Sequence, residues 1–350
     1  MAKTKMKSKS KKMGSFAKRT LAALVMLPVV IGALWFSYPY TDILALLVGV
    51  LLSWEWSSMV PSRKPSVYFG AYVLALAVAL FVYSTHAIVL TILLATLFAF
   101  LKARNEKERF LLTLGVPYIA VGVGSLMWIY HDIFAYAPYN FYMTLWFLLM
   151  VWAMDVGAYI VGSNLKGPKL APSISPNKTW SGLIGGLILA IAVSELYFYG
   201  FAYFGLVKID SNTELFFAMF GGLIALISQG GDLIESAIKR HLGIKDSSEL
   251  IPGHGGVFDR IDGLIFAAPF VYWLFAYGLW YLCMNSGTLL LRALAVLRSA
   301  LFLSALEKSF GAGAINTAHI GRFLPFRLAD IVSFWVMEMP HLRQHRILMI

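Results

Sequence analysis

Charge is scarce in this chain. Asp, Glu, Lys and Arg make up 13% of its 350 residues, where a soluble domain carries about 25%. Apolar residues take their place, at 59%, and the mean hydropathy is +0.73. That composition excludes an ordinary cytosolic enzyme, a disordered chain and a coiled coil, and makes lipid the main solvent. Cysteine is almost absent. Cys283 stands alone, which excludes an intramolecular disulfide and any thiolate metal cluster. Acidic residues are outnumbered, 18 against 29 basic ones, for a formal charge of +11. In a membrane protein such an excess reports topology, so no nucleic-acid partner is expected.

What is present is a series of apolar runs. A helix needs roughly 20 apolar residues to cross the hydrocarbon core. Nine candidates stand out, near 20–38, 42–60, 66–84, 86–101, 110–130, 141–163, 181–204, 215–235 and 263–283. Lipid offers no partner to an unpaired peptide group, so each must be helical, and the expected fold class is an all-α polytopic membrane protein. Pro28 and Pro117 fall inside spans, where neighbouring helices can cover freed carbonyls. The first run reads as a retained anchor, because it is long for a signal peptide and further spans follow. Gly182 and Gly186, and Gly221 with Gly222, suit close helix packing. Trp35, Tyr38, Tyr40, Trp128 and Tyr130 read as interfacial belts, and His86 and His131 as structural residues at one rim.

Orientation follows from the short loops. The tail 1–19 carries eight basic residues, Lys3 to Arg19. If that tail is cytoplasmic, the loops sharing its side add Arg63 and Lys64; Lys102, Arg104, Lys107 and Arg109; Lys166, Lys169 and Lys178; and Lys239, Arg240, Lys245 and Arg260. The opposite loops carry only Lys208. The chain then divides into a basic cytoplasmic tail (1–19), N-terminal spans (20–140), a catalytic region (141–283) with cytosolic loops 164–180 and 236–262, and a C-terminal extension (284–350). Within the extension, 289–306 reads as an interfacial amphipathic helix; 307–350 shows no period and no motif.

A transporter places its polar groups near the bilayer midplane and in broken, repeated helices. This chain gathers them in two segments on the cytosolic side, 155–181 and 228–262. The second holds Asp232, Glu235, Asp246, Glu249, Asp259 and Asp262 beside Lys239, Arg240, Lys245, Arg260, His241 and His254. On a continuous helix, Asp232, Ser236 and Lys239 share one face. Carboxylates beside abundant cations suit Mg²⁺ together with phosphate oxygens; the alternative is a solvated loop whose charges pair internally. Gly255 and Gly256 permit close backbone approach just before a D-R-x-D cluster. In the first segment, Ser175, Asn177, Lys178 and Thr179 offer phosphate donors within five residues, and a following helix N-terminus could add amides; an N-cap with turn residues and no ligand explains them equally well. Asp155 near a span end is costly unless it faces a cavity or a cation. Glu55 and Glu195 lack a neighbouring motif and read as paired or interface-facing carboxylates.

The run from Ser236 to Asp262 resembles the signature of the phosphatidate cytidylyltransferases (CDP-diacylglycerol synthases). Its fixed positions are Ser236, Lys239, Arg240, Lys245, Asp246, His254, Gly255, Gly256, Asp259, Arg260 and Asp262. G-D-L-I-E-S (Gly231 to Ser236), S-P-N-K-T-W (Ser175 to Trp180) and D-V-G-A-Y (Asp155 to Tyr159) are also similar to that family. Ser181 departs from the Glu common after K-T-W, and Ser163 from a common Arg.

The resemblance implies transfer of CMP from CTP to phosphatidic acid, giving CDP-diacylglycerol and pyrophosphate, at the cytosolic surface of a bilayer. A bacterial inner membrane is the expected location, with an organelle membrane as the alternative. The resemblance implies a catalytic set of Asp232, Asp259, Lys239, Arg240 and His254. It assigns Mg²⁺ to Asp232 and Asp259, with Asp246 and Asp262 as second choices; a second cation such as K⁺ and a homodimer are compatible with it. Ser175, Asn177, Lys178, Thr179, Lys245, Arg260 and Asp155 would hold substrate. A polyprenol kinase-like enzyme using CTP and a polytopic transporter are the rival readings.

Overall fold

The computed structural model describes residues 15–82, 84–133, 139–203, 211–251 and 255–276. The basic tail 1–14, His254, Cys283 and the whole C-terminal extension lie outside the described residues. Among those described there are nine α-helices: α1 (Ser15–Phe36), α2 (Tyr40–Met59), α3 (Pro65–Phe81), α4 (Thr85–Lys102), α5 (Arg109–Trp128), α6 (Tyr139–Leu165), α7 (Trp180–Tyr203), α8 (Ser211–His241) and α9 (Phe258–Ala276). They coincide with the nine apolar runs, because an apolar run in lipid has no other way to satisfy its backbone. Six of the nine, α2 and α4 to α8, are long and apolar enough to cross a membrane. The apolar parts of α1 and α3, Met26–Phe36 and Pro65–Phe81, are shorter, and α9 opens with Asp259, Arg260 and Asp262 among its first five residues.

One element was not anticipated by an all-helical reading. Between α6 and α7 the chain forms an antiparallel hairpin of β1 (Lys169–Ala171) and β2 (Ser175–Thr179), with Lys169 opposite Thr179 and Ala171 opposite Ser175. The Pro-rich stretch A-P-S-I-S-P provides its turn.

Helices α2, α3, α5 and α9 share one core, built on Trp56, Tyr72, Leu76, Leu112, Val116, Phe258 and Ile265. Two aromatic side chains reach the α5 backbone one turn before Pro117. Trp56 Nε1 donates to Leu111 O at 3.0 Å and Tyr72 Oη to Leu112 O at 2.7 Å. Gly115 makes this approach possible, since a Cβ there would lie 2.6 Å from Trp56 Nε1 and 2.7 Å from Tyr72 Cζ. A second layer comprises α6, α7 and α8. Trp146 Nε1 donates to Ser194 Oγ (2.9 Å), which donates to Phe217 O (2.6 Å), so one hydroxyl ties three helices.

Helices α6 and α7 cross on glycines. A Cβ at Gly157 would meet Gly186 Cα at 2.8 Å, and a Cβ at Gly186 would meet Met154 O at 2.7 Å. Gly221 packs against Ser194 and Gly222 against Ile191. At one rim His131 is 3.0 Å from Asp42, and Tyr130 Oη donates to Leu34 O at 2.7 Å. The side chains of α4 point largely outward, with Leu90, Leu93, Leu94 and Leu101 exposed, as a lipid-facing helix requires.

Because the neighbour at Gly186 is backbone, it cannot yield. Gly186→Val is expected to lower stability by about 1–3 kcal/mol, seen as a depressed melting temperature by circular dichroism in detergent. Gly200→Ala on the same helix, with nothing within 4 Å, serves as the neutral control.

Candidate active site

The C-terminal half of α8 carries the acidic face. It ends at His241 because Gly243, at φ +73°, turns the chain left-handed. Ile244 N then donates back to Lys239 O (2.9 Å), closing the helix end. Ile251 N donates to Gly255 O at 2.8 Å, and the chain enters α9 at Phe258. Gly255 adopts φ +85°, a conformation that side chains with a Cβ rarely take. Gly231 and Gly263 bring α8 and α9 close together at this point. A Cβ at Gly231 would lie 3.0 Å from Asp262 O, and one at Gly263 2.9 Å from Ser228 O.

This close crossing gathers carboxylates. Oxygens of Asp232, Glu235 and Asp262 all come within 4.8 Å of one another. Glu235 is buried at 1% exposure, and its Oε1 has no hydrogen-bond partner among the described residues. Its other oxygen lies 2.6 Å from Lys239 Nζ. That same ammonium is 2.6 Å from Asp259 Oδ1, so it bridges the two helices.

Asp259 is heavily engaged. Besides Lys239, its carboxylate accepts from Gly256 N (2.8 Å), Ser247 N (3.0 Å) and Ser247 Oγ (3.1 Å). Burial alone would raise its pKa, but the Lys239 ammonium and the Gly256 amide outweigh that and hold it below the ordinary Asp value. The carboxylate trio thus consists of Asp232, Asp262 and Glu235, with Asp259 beside it on the far side of Lys239. Glu235 was not among the candidate ligands read from sequence, although an acid three residues after Asp232 on a helix shares its face.

The β-hairpin covers one flank. Lys178 Nζ lies 2.5 Å from Asp232 Oδ2. Thr179 is buried and caps α7, its Oγ1 accepting from Gly182 N at 3.1 Å, while Ser181 Oγ donates to Lys166 O. Thr179 is therefore occupied as an N-cap. Ser175 is partly buried and Asn177 exposed on the same strand. Arg240 reaches across to the hairpin tip, its Nε donating to Ile174 O (3.3 Å) and its Nη1 to Ile244 O (2.9 Å). Arg240 and Lys239 thus hold protein groups. Asp155 on α6 is in electrostatic range of Asp232, Lys178 and Arg260, and Asp262 of Asp232, Asp155 and Lys178. Lys245 and Asp246 are exposed on the loop, outside the trio. His254 lies outside the described residues.

Glu55, read from sequence as a paired or interface-facing carboxylate, is fully buried between α2 and this loop. It accepts from Val257 N, Phe258 N and Ser248 Oγ at 2.8, 2.7 and 2.6 Å. Glu195 stays remote on α7, its oxygens without hydrogen-bond partners among the described residues.

The arrangement pairs hard oxygen ligands with fixed cations at one end of a helical bundle, a set suited to a divalent ion and to phosphate. Comparison with known proteins agrees. The cytidylyltransferase family profile matches residues 17–278. A phosphatidate cytidylyltransferase of Brucella suis biovar 1 (strain 1330) is 32% identical over 263 residues, covering 74% of this chain and 93% of that protein. Those of Haemophilus influenzae (strain ATCC 51907 / DSM 11121 / KW20 / Rd) and Bacillus subtilis (strain 168) are 34% and 33% identical, covering 72% and 66% of this chain and 96% and 78% of theirs. With the match running from α1 through α9 and over every element of the site, the chain belongs to the cytidylyltransferase family.

Proposed function

We propose that the chain transfers CMP from CTP to phosphatidate at the cytosolic face of a membrane, releasing pyrophosphate. Three carboxylates converging around a buried Glu235 oxygen that has no hydrogen-bond partner among the described residues carry this reading. Such an atom is expensive in a protein interior unless a cation or a proton meets it. Relatives bearing the name phosphatidate cytidylyltransferase supply the substrates.

Asp232, Glu235 and Asp262 would hold Mg²⁺. They fit it because they are oxygen ligands with room left for substrate phosphate and water. An ion held there would supply neutralisation of the phosphate charge that such a transfer requires. The other groups follow from their places. A phosphate oxygen of the lipid forms the new bond to the α-phosphorus of CTP, the bond from that phosphorus to the bridging oxygen breaks, and pyrophosphate takes the electron pair. Transfers of this kind depend chiefly on positioning and electrostatics. Lys178, already on Asp232, and Arg260, in electrostatic range of Asp155, supply positive charge near the trio, while Ser175 and Asn177 present the hairpin's polar face. Lys239 keeps Glu235 and Asp259 in register, and Arg240 fixes the hairpin against α8.

The orientation with the N-terminus cytoplasmic belongs to the same reading. It places the site where CTP is available and leaves the lipid nucleophile in the bilayer. A bacterial inner membrane suits the relatives' sources. A kinase-like or transport role has less support, because the family and the acids gathered where α8 and α9 cross both favour transfer.

Purified protein in detergent should convert labelled CTP and phosphatidate to CDP-diacylglycerol, lose that activity in EDTA and recover it with Mg²⁺. Absence of product from folded protein would overturn the reading. Asp262→Asn and Glu235→Gln should each cut turnover by roughly 10- to 100-fold or more and raise the Mg²⁺ needed for half-maximal rate; rates and Mg²⁺ dependence equal to the parent would refute the ligand assignment. For topology, a Cys replacing exposed Lys107 in a Cys283→Ser background should resist a membrane-impermeant maleimide in intact cells. A Cys replacing exposed His86 should react. The reverse pattern would invert the protein.

A further inference from the structure

The residue that fixes the catalytic loop comes from the opposite half of the chain. Val257 and Phe258 supply the first amides of α9, which have no partner within the helix. Glu55 Oε1 accepts from Val257 N (2.8 Å) and Oε2 from Phe258 N (2.7 Å), one oxygen to each amide. Ser248 Oγ adds a third donor to Oε1 at 2.6 Å, and Ser247 Oγ lies 3.4 Å from Oε2. A full negative charge at a helix N-terminus is stabilised by the helix dipole, the more so when buried. Gly256 is required by the same contact, since a Cβ there would lie 2.5 Å from Glu55 Oε1 and against Ser247 Oγ.

From Glu55 the contacts run without a gap to the carboxylate trio. Ser247 and Gly256, packed on Glu55, donate to Asp259. Asp259 holds Lys239, and Lys239 holds Glu235. Ring contacts brace the same junction, with Phe258 edge-on to Trp56 at 5.4 Å and to Tyr118 at 5.8 Å.

We infer that Glu55 is a positioning residue of the active site: a carboxylate from α2 that clamps the start of α9 and so sets Asp259, Lys239 and Glu235 at working distance. Resting on the transfer reading above, the inference explains why a charge is retained inside α2. A neutral glutamine of the same shape presents its NH₂ group to one of the two backbone donors, so the clamp fails on one side. Misplacement of a catalytic constellation by about 1 Å can cost on the order of 100-fold.

The test uses the full-length chain in detergent. Glu55→Gln and Glu55→Asp are compared with the parent for melting temperature, kcat, KM for phosphatidate, and the Mg²⁺ concentration giving half-maximal rate. Hydrogen–deuterium exchange is followed on peptides spanning 255–262. Glu55→Gln should lower kcat about tenfold or more, the order expected when hydrogen bonds to a buried charge are lost. It should raise the Mg²⁺ requirement, leave KM for phosphatidate within about twofold, and speed exchange at 257 and 258. Glu55→Asp, which keeps the charge, should recover part of the loss. Should Glu55→Gln not fold, Ser248→Ala removes one donor alone and should shift kcat and Mg²⁺ dependence the same way, two- to fivefold by the same reasoning. Unchanged exchange and unchanged Mg²⁺ dependence in folded variants would overturn the inference. An inactive parent whose exchange still responds to Glu55→Gln would instead count against the transfer reading while leaving the clamp standing.

Discussion

The ammonium of Lys239 is the contact on which the acidic centre depends. It lies 2.6 Å from Glu235 on its own helix and 2.6 Å from Asp259 on the next. Burying either carboxylate without a cation would cost several kcal/mol. Both are therefore retained by one shared charge, and α8 cannot move against α9 without separating a pair. The glycines at 231 and 263 allow the distance to be this short. Removing one partner of such a pair is much more damaging than replacing all of them with apolar groups. The geometry therefore gives the site rigidity at the expense of tolerance to substitution.

Much of the fold was legible in the sequence. Nine apolar runs correspond to nine helices, because length and hydropathy are local properties and lipid permits only one local solution. Gly182 and Gly186 signalled close helix packing without naming a partner, which the structure shows to be α6. What was not legible depends on partners far along the chain. The hairpin at 169–179 is short and its strands lack apolar alternation, so no period announced it. Glu55 had no neighbouring motif, and its donors are 202 and 203 residues away.

The site itself was legible as a set of residues, and less so in its arrangement. The resemblance brought out Asp232, Lys178, Asp259 and Asp262; the structure sets Lys178 against Asp232 and Asp262 within 4.8 Å of Asp232, with Asp259 on Lys239. It did not show that Asp259 faces Lys239 and the loop amides, that Thr179 is spent on capping α7, or that Glu235 completes the trio. A motif marks which residues matter at a place, and the donor count around each one decides what it does there. Asp259 with four protein donors and Glu235 with one oxygen that has no partner among the described residues are the same functional group in opposite states of satisfaction.

Glu55 also has a consequence for biogenesis. Its carboxylate is synthesised some 202 residues before the amide that receives it. At ordinary translation rates that interval is about 10 to 40 seconds. Throughout it, Glu55 lacks the two backbone donors that hold it in the finished protein. The clamp can therefore close only once the ninth helix has emerged, and a truncated product ending before that helix would leave the acid without its two backbone donors.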